Sequence, residues 1–309
     1  MQRIVFRLGL FEQQGALAYS RGALGVLVRA LFEANVAYLI AHPRTPAFAE
    51  VRVRHAPSVL RAGQFEWRGV ESILREGAGD AVSLACWACA ERALQGERVR
   101  PVLRWSPWGH SDVVLQAADG TIEDVVASVL EREGLSPALV IGPSHLQAPA
   151  TEIAFRLRLF RGEPARHYSE RVLSVLLRTL VRANLLYLRT HDAPRLYEAG
   201  VHYEAEPYPQ EEWKGIAAIL ADGQGDCEDL ATYRAAELLA QGERARPVFR
   251  WRPVGPLSVY HILVRHSDGG LEDPSLLLGM GQGGVTASEL GVPLPKRAER
   301  AEAAEPLAS

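Results

Sequence analysis

Residues 223–229 read Gly-Gln-Gly-Asp-Cys-Glu-Asp and run directly into a helical stretch, Cys227-Glu-Asp-Leu-Ala-Thr-Tyr-Arg. A cysteine at a helix start is well placed for thiol chemistry. The thiolate is the nucleophile, and the N-terminal end of a helix favours it. His261 follows in the apolar run Val259-Tyr-His-Ile-Leu-Val264, and Asp273 follows a Gly-rich turn. A nucleophile, a base to take its proton and a carboxylate to orient the base are what acyl transfer through a thioester requires. A lone free cysteine is most often a small buried hydrophobe, and a lone strand histidine is usually a satisfied interior group. The ordered trio behind a glycine turn favours catalysis over either reading.

These side chains need elements to hold them. Asp226 reads as the N-cap of the helix and Asp229 as its capping-box partner, which gives both acids a structural role. Cys227 is then the first helical residue, with an N–H free to serve as half of an oxyanion hole. His261 and Asp273 are equidistant from Ser267, so a three- or five-residue loop centred there makes them direct cross-strand neighbours. A two-residue Asp268-Gly269 turn would put them on opposite faces. His266 has the other parity and reads as a turn or surface residue. Glu228 and Asp229 oppose ionisation of the thiol, and the helix dipole contributes only about 0.3–1 kcal/mol. A protonated His261 is therefore expected to supply most of any shift towards thiolate.

The chain repeats itself once. Phe6-Arg-Leu-Gly-Leu-Phe11 matches Phe155-Arg-Leu-Arg-Leu-Phe160, and Arg29–Asn35 matches Arg178–Asn184. Glu66-Trp-Arg-Gly matches Glu212-Trp-Lys-Gly, and Gln95-Gly-Glu-Arg-Val-Arg-Pro-Val matches Gln241-Gly-Glu-Arg-Ala-Arg-Pro-Val. Dense, collinear matches over both halves mean two whole domains rather than a solenoid of small units. Each copy reads as a strand, a long amphipathic helix, a Trp-bearing helix, the Gly-Asp helix and an antiparallel hairpin sheet, an α+β pattern. The expected boundaries are 1–145 and 150–290, with 291–309 a disordered tail. The copies differ where chemistry would sit. Ala81 aligns with Cys227 and Asp112 with His261, while Asp80 and Asp124 still match Asp226 and Asp273. The first copy is expected to be degenerate, kept for packing or for binding a protein partner.

Gly-Asp-Cys-Glu-Asp-Leu opening a helix, a strand histidine and Asp273 in Leu-Glu-Asp-Pro resemble the transglutaminase-like superfamily. The resemblance covers about 170–280 directly. It implies two tandem domains with a papain-like core and helices packed on an antiparallel sheet. It also implies a catalytic triad of Cys227, His261 and Asp273 that acts on a protein or peptide substrate without a cofactor. Ile262-Leu-Val follows His261 where that family carries an aromatic-rich stretch. The family's second oxyanion donor lies upstream of the cysteine, where Gln224 and Trp213 are available; Trp67 matches Trp213 in the first copy, which favours a core role for Trp213. The contrasting reading is a non-catalytic interaction or assembly module with a vestigial site.

The remaining signals are weaker. The chain has 309 residues, 48% hydrophobic and 23% charged, with net charge −3. That balance implies no nucleic-acid footprint and no polybasic membrane surface. No run of about 18 apolar residues stands out and no signal-peptide core opens the chain, so a cytoplasmic location is expected. Three cysteines argue against a disulfide framework. Cys86-Trp-Ala-Cys89 lies inside a helical pattern with no second ligand pair, so packing is the expected role rather than redox chemistry or metal binding. No metal-ligand cluster or phosphate-binding motif is present. The arginines of 98–104 and 244–252 read as solvated strand faces, with Arg250 and Arg252 weighed as contacts for a substrate carboxylate.

Overall fold

The computed structural model describes residues 2–10, 17–56, 59–61, 64–105, 111–134, 152–159, 163–207, 211–254 and 257–281. The expected tail at 291–309 and the join around 135–149 lie outside them. The first half comprises β1 (Gln2–Arg7), α1 (Leu17–Ala41), β2 (Arg54–His55), β3 (Val59–Arg61), β4 (Gln64–Arg68), α2 (Val70–Glu76), β5 (Ala78–Gly79), α3 (Ala81–Leu94), β6 (Val99–Trp105), β7 (Ser111–Ala117), β8 (Ile122–Glu123) and α4 (Val125–Arg132). The second comprises β9 (Glu152–Leu157), α5 (Glu163–Thr190), β10 (His202–Tyr203), β11 (Glu212–Lys214), α6 (Ile216–Asp222), β12 (Gln224–Gly225), α7 (Cys227–Ala240), β13 (Ala245–Val254), β14 (Leu257–His266), β15 (Leu271–Glu272) and α8 (Pro274–Leu277). The class is mixed α+β.

Apart from β3, which has no counterpart among the described residues, the same elements recur in the same order, and their registers coincide. In the hairpins, Arg104 faces Asp112 and Arg250 faces His261. Leu115 faces Glu123 where Val264 faces Glu272. Asp80 and Asp226 cap equivalent helices, whose first residues are Ala81 and Cys227. Asp124 and Asp273 likewise cap α4 and α8.

The opening strands do not join the hairpin sheets of their own halves. β1 and β9 pair antiparallel with each other, Ile4 opposite Phe155. β1 then pairs in parallel with β11 of the second half, and β9 with β4 of the first. The result is one sheet in the order β11-β1-β9-β4-β3, with each half completing the other's edge. Phe6 and Phe155 meet at its centre with ring centroids 5.2 Å apart. Trp213 packs on Phe6 and Trp67 on Phe155. A single hydrophobic cluster runs through both halves, so their cores are continuous.

The long helices α1 and α5 cross-brace the halves. Tyr19 meets Tyr187 while Tyr38 meets Tyr168, which makes the two helices antiparallel. A Cβ on Gly22 would lie 3.0 Å from Leu186 Cδ1, so the small residue allows the close approach. By length and composition α1 is apolar enough to cross a membrane, with a mean hydropathy of 1.6. It does not stand out in the sequence because Arg21, Arg29 and Glu33 interrupt the run. Here Leu24, Leu27, Val28 and Leu31 are fully buried in the protein core.

Candidate functional site

The loop before Cys227 is shaped by glycine. Gly223 ends α6 in the left-handed region, φ 70°, and donates its N–H to Ile219 O. A Cβ on Gly225 would lie 2.9 Å from Asp229 Cβ, so only glycine lets the capping residue close over the turn. The capping box forms in both directions. Asp229 N–H donates to Asp226 Oδ1 at 3.4 Å, and Asp226 N–H donates to Asp229 Oδ2 at 3.3 Å. The other oxygen of Asp229 accepts Lys214 N–H at 2.6 Å, which ties the helix start to β11. Cys227 is the first helical residue, and its half-buried thiol sits against the core.

His261 lies in the middle of β14. Its Nε2 is 2.9 Å from Asp273 Oδ2, which assigns the ring proton to Nε2 and leaves the Nδ1 lone pair available. The second oxygen of Asp273 accepts Leu276 N–H at 3.1 Å as the cap of α8, so the carboxylate is held from both sides. The turn is centred on Asp268, not Ser267: Val264 faces Glu272, and His266 N–H donates to Gly270 O. The loop is odd, so both residues do share a face, but they are diagonal neighbours rather than direct ones. Pairing stops at Glu272 because Asp273 leaves the ladder to cap a helix. His266, on the opposite face, pairs with Glu272 at 2.8 Å.

The thiol is placed against the same strand. The helix that begins at Cys227 packs against β14, and the backbone N–H of Ile262, next to His261, favours the thiolate. Among the described residues no hydrogen bond joins Sγ to the imidazole. The thiol donates to Glu228 Oε2 at 3.0 Å instead. The expected thiolate is therefore not the resting form. Burial, the charges of Glu228 and Asp226 and the bond to Glu228 hold the thiol proton on well above the ordinary range. The Ile262 N–H pulls the other way and is outweighed.

Glu228 is therefore a bonding partner of the thiol as well as a repelling charge, and two further acids that the sequence does not reveal, Glu206 and Glu211, belong to the site. Both oxygens of Glu206 accept Glu212 N–H, at 2.8 and 2.9 Å. Glu211 Oε2 accepts the Tyr260 hydroxyl at 3.2 Å. Burial first, then repulsion from neighbouring carboxylates, pushes Glu211 up to about 7 and Glu206 up to about 8. Burial and Glu228 also raise Asp226 and Asp229, and burial raises Glu228 itself. The signal was present as the acidic, Pro-containing run Glu204–Glu212, which reads as a solvated loop. Asp273 goes the other way: burial raises it, but the bond and charge of His261 outweigh this and lower it.

The raised acids make stability depend on pH in a definite direction. The folded chain holds these protons more tightly than the unfolded chain, where a glutamate titrates near 4.5. Their contribution is fully present below that value and is lost as pH rises towards 8. The lowered carboxylates, Asp273, Glu272 and Glu76 among them, lose their contribution only as pH falls below their ordinary values of 3.8 to 4.5, outside this window. The thermal midpoint is expected to fall by on the order of 5 °C between pH 5 and pH 8.5, and Glu206→Gln should flatten the fall. A flat or rising midpoint in a scanning calorimeter would contradict the buried-acid assignment.

Cys86 and Cys89 are fully buried inside α3, with Cys86 Sγ donating to Val28 O at 3.4 Å. Burial raises both thiols, Cys89 to about 12. No group of three or more His, Cys, Asp or Glu among the described residues could hold a metal ion. Trp213 is fully buried, and Gln224 is half-buried in β12. Arg250 is exposed opposite His261; the side chain of Arg252 lies outside the described residues.

The site thus offers a half-buried thiol at a helix start and an imidazole held by a carboxylate. No family model matches this chain, and no curated protein or solved structure is detectably similar to it.

Proposed function

We propose that the chain is a cysteine-dependent acyl-transfer enzyme acting on an amide bond of a protein or peptide, built from two tandem transglutaminase-like units of which the second is catalytic. The carrying observation is the His261–Asp273 pair at 2.9 Å on the strand that backs Cys227. The first half supports it as an internal contrast. It keeps the caps, the glycines and the hairpin register, but has Ala81 and Asp112 at the reacting positions.

The proton starts on sulfur, so it moves in step with attack. Sγ adds to the amide carbonyl as His261 Nδ1 takes the thiol proton. The oxyanion is met by the Cys227 N–H at the helix start. Asp273 steadies the imidazolium, which then gives its proton to the departing amine and leaves a thioester on Cys227. Water, deprotonated by His261, releases the acid and restores the thiol; an amine in its place gives a new amide. A peptidase or amidase takes the first route and a transglutaminase-type enzyme the second. A free thiol fits a reducing cytoplasm, and we place the protein there.

A second reading is favoured by one observation. The resting thiol is protonated and bonded to Glu228, as it would be in an assembly module with a vestigial site. Treatment with an activated ester separates the two readings. An enzyme forms a thioester on Cys227 and turns it over, and Cys227→Ala forms none. The variant should fold, since Ala81 occupies the same position in the first half.

A further inference from the structure

The strand exchange carries a residue of the inert half into the second half's framework. Arg7, the last residue of β1, donates to Glu212 Oε1 at 3.0 Å and to both oxygens of Asp222, at 2.7 and 2.8 Å. Asp222 also receives Lys214 Nζ at 3.1 Å. The backbone of Arg7 accepts the N–H of Gly215, which follows Lys214, at 2.8 Å. Lys214 N–H donates to Asp229, Asp229 closes the capping box on Asp226, and Asp226 starts the helix on Cys227. A series of hydrogen bonds and ion pairs, joined through Lys214 itself and through the Asp226–Cys227 peptide, thus runs from the first strand of the chain to the thiol-bearing turn.

The other half repeats the arrangement without the chemistry. Arg156 donates to Glu66 at 2.9 Å and to Glu76 at 2.7 Å. Arg68 also binds Glu76, at 2.9 Å, and its N–H donates to Ser83 Oγ at 2.7 Å. Ser83 bonds to Asp80, the cap of the helix that begins at Ala81. The two series match link for link, and one ends on a thiol while the other ends on a methyl group.

We propose that Arg7 is a positioning residue for Cys227, so that the non-catalytic half serves as a built-in support for the catalytic one. This rests on the reading of Cys227 as the nucleophile. A bidentate guanidinium fixes both the place and the charge of Asp222. With Arg7 present, Asp222 and Glu212 are neutralised, and Lys214 keeps its backbone on Asp229. Without it, Lys214 is left as the neighbouring cation for both carboxylates, its hold on Asp229 loosens, and the helix start becomes more negative. The thiol then gives up its proton less readily.

The test compares full-length wild type, Arg7→Met and Arg156→Met. Iodoacetamide labelling of Cys227 is followed by peptide mass spectrometry across pH, and thermal melting runs in parallel. The two variants remove matched ion networks from the same sheet, so both should melt lower by similar amounts. Only Arg7→Met should move the labelling profile to higher pH, slowing the reaction at pH 8 by about threefold or more. Arg7→Lys should restore part of the rate, since it keeps one ion pair and loses the fork. Equal profiles for the two methionine variants would overturn the proposal. So would faster labelling in Arg7→Met, which would mean that Arg7 only keeps the site closed. A wild-type Cys227 that labels no faster than buried Cys86 would instead overturn the nucleophile reading, and this inference with it.

Discussion

Replacing Glu228 with glutamine is expected to speed alkylation of Cys227 at pH 8 by about tenfold or more. The thiol donates to Glu228 Oε2 at 3.0 Å, and that carboxylate is the nearest charge opposing ionisation. Two unit charges about 4 Å apart interact by about 4 kcal/mol at an effective dielectric near 20. The helix dipole that favours the thiolate is worth only about 0.3–1 kcal/mol. Even a third of the charge term is about 1.4 kcal/mol, one factor of ten in reactivity. Glutamine keeps the length and the acceptor oxygen and removes the charge. The gain should grow with pH in the range where Glu228 ionises. Labelling that is unchanged or slower would show that burial alone holds the proton on sulfur.

The second large effect belongs to His261. If the imidazole takes the thiol proton during attack, His261→Ala should slow acyl transfer by about 10²–10⁴-fold. Because the resting thiol is not held as an ion pair with the ring, the same change should leave labelling above about pH 9 nearly untouched. The pair of measurements separates a base that acts in the transition state from one that ionises the thiol beforehand. A fall in both rates together would restore the ion-pair picture. A fall in neither would remove His261 from the mechanism. His266→Ala is the control, since it bonds Glu272 on the other face of the hairpin.

Part of this arrangement was legible in the sequence. The Gly-Asp-Cys turn announced a helix start because short polar caps and glycine have few other uses there, and Asp226 and Asp229 do form the box. The parity of the hairpin was legible too, because an odd loop preserves the face whatever its centre. Its register was not. Where the loop centres depends on which residue takes the left-handed conformation, and Gly269 rather than an earlier residue does so.

The strand exchange could not be read from the chain. Alternation along Gln2–Arg7 fixes which side chains face the core but not which strand lies alongside. In a duplicated sequence the partners in the two halves are nearly equivalent. Glu206 and Glu211 were hidden for a different reason: burial of an acid is a tertiary fact, and in sequence they look like part of a solvated charge run. The helix position of Cys227 points to thiolate, and burial together with the placement of Glu228 and Asp226 reverses that.

Whether Cys227 carries an acyl group and then releases it decides most directly between an enzyme and a vestigial site. Full-length protein would be mixed with p-nitrophenyl acetate at pH 8, and intact and peptide masses followed with time. Wild type should show a single acetyl group on Cys227 that appears and then decays, Cys227→Ala should show none at that position, and any adduct formed by His261→Ala should persist. A wild-type chain that stays unacetylated at Cys227, while the unfolded chain in denaturant is acetylated there, would contradict the account and identify the site as vestigial.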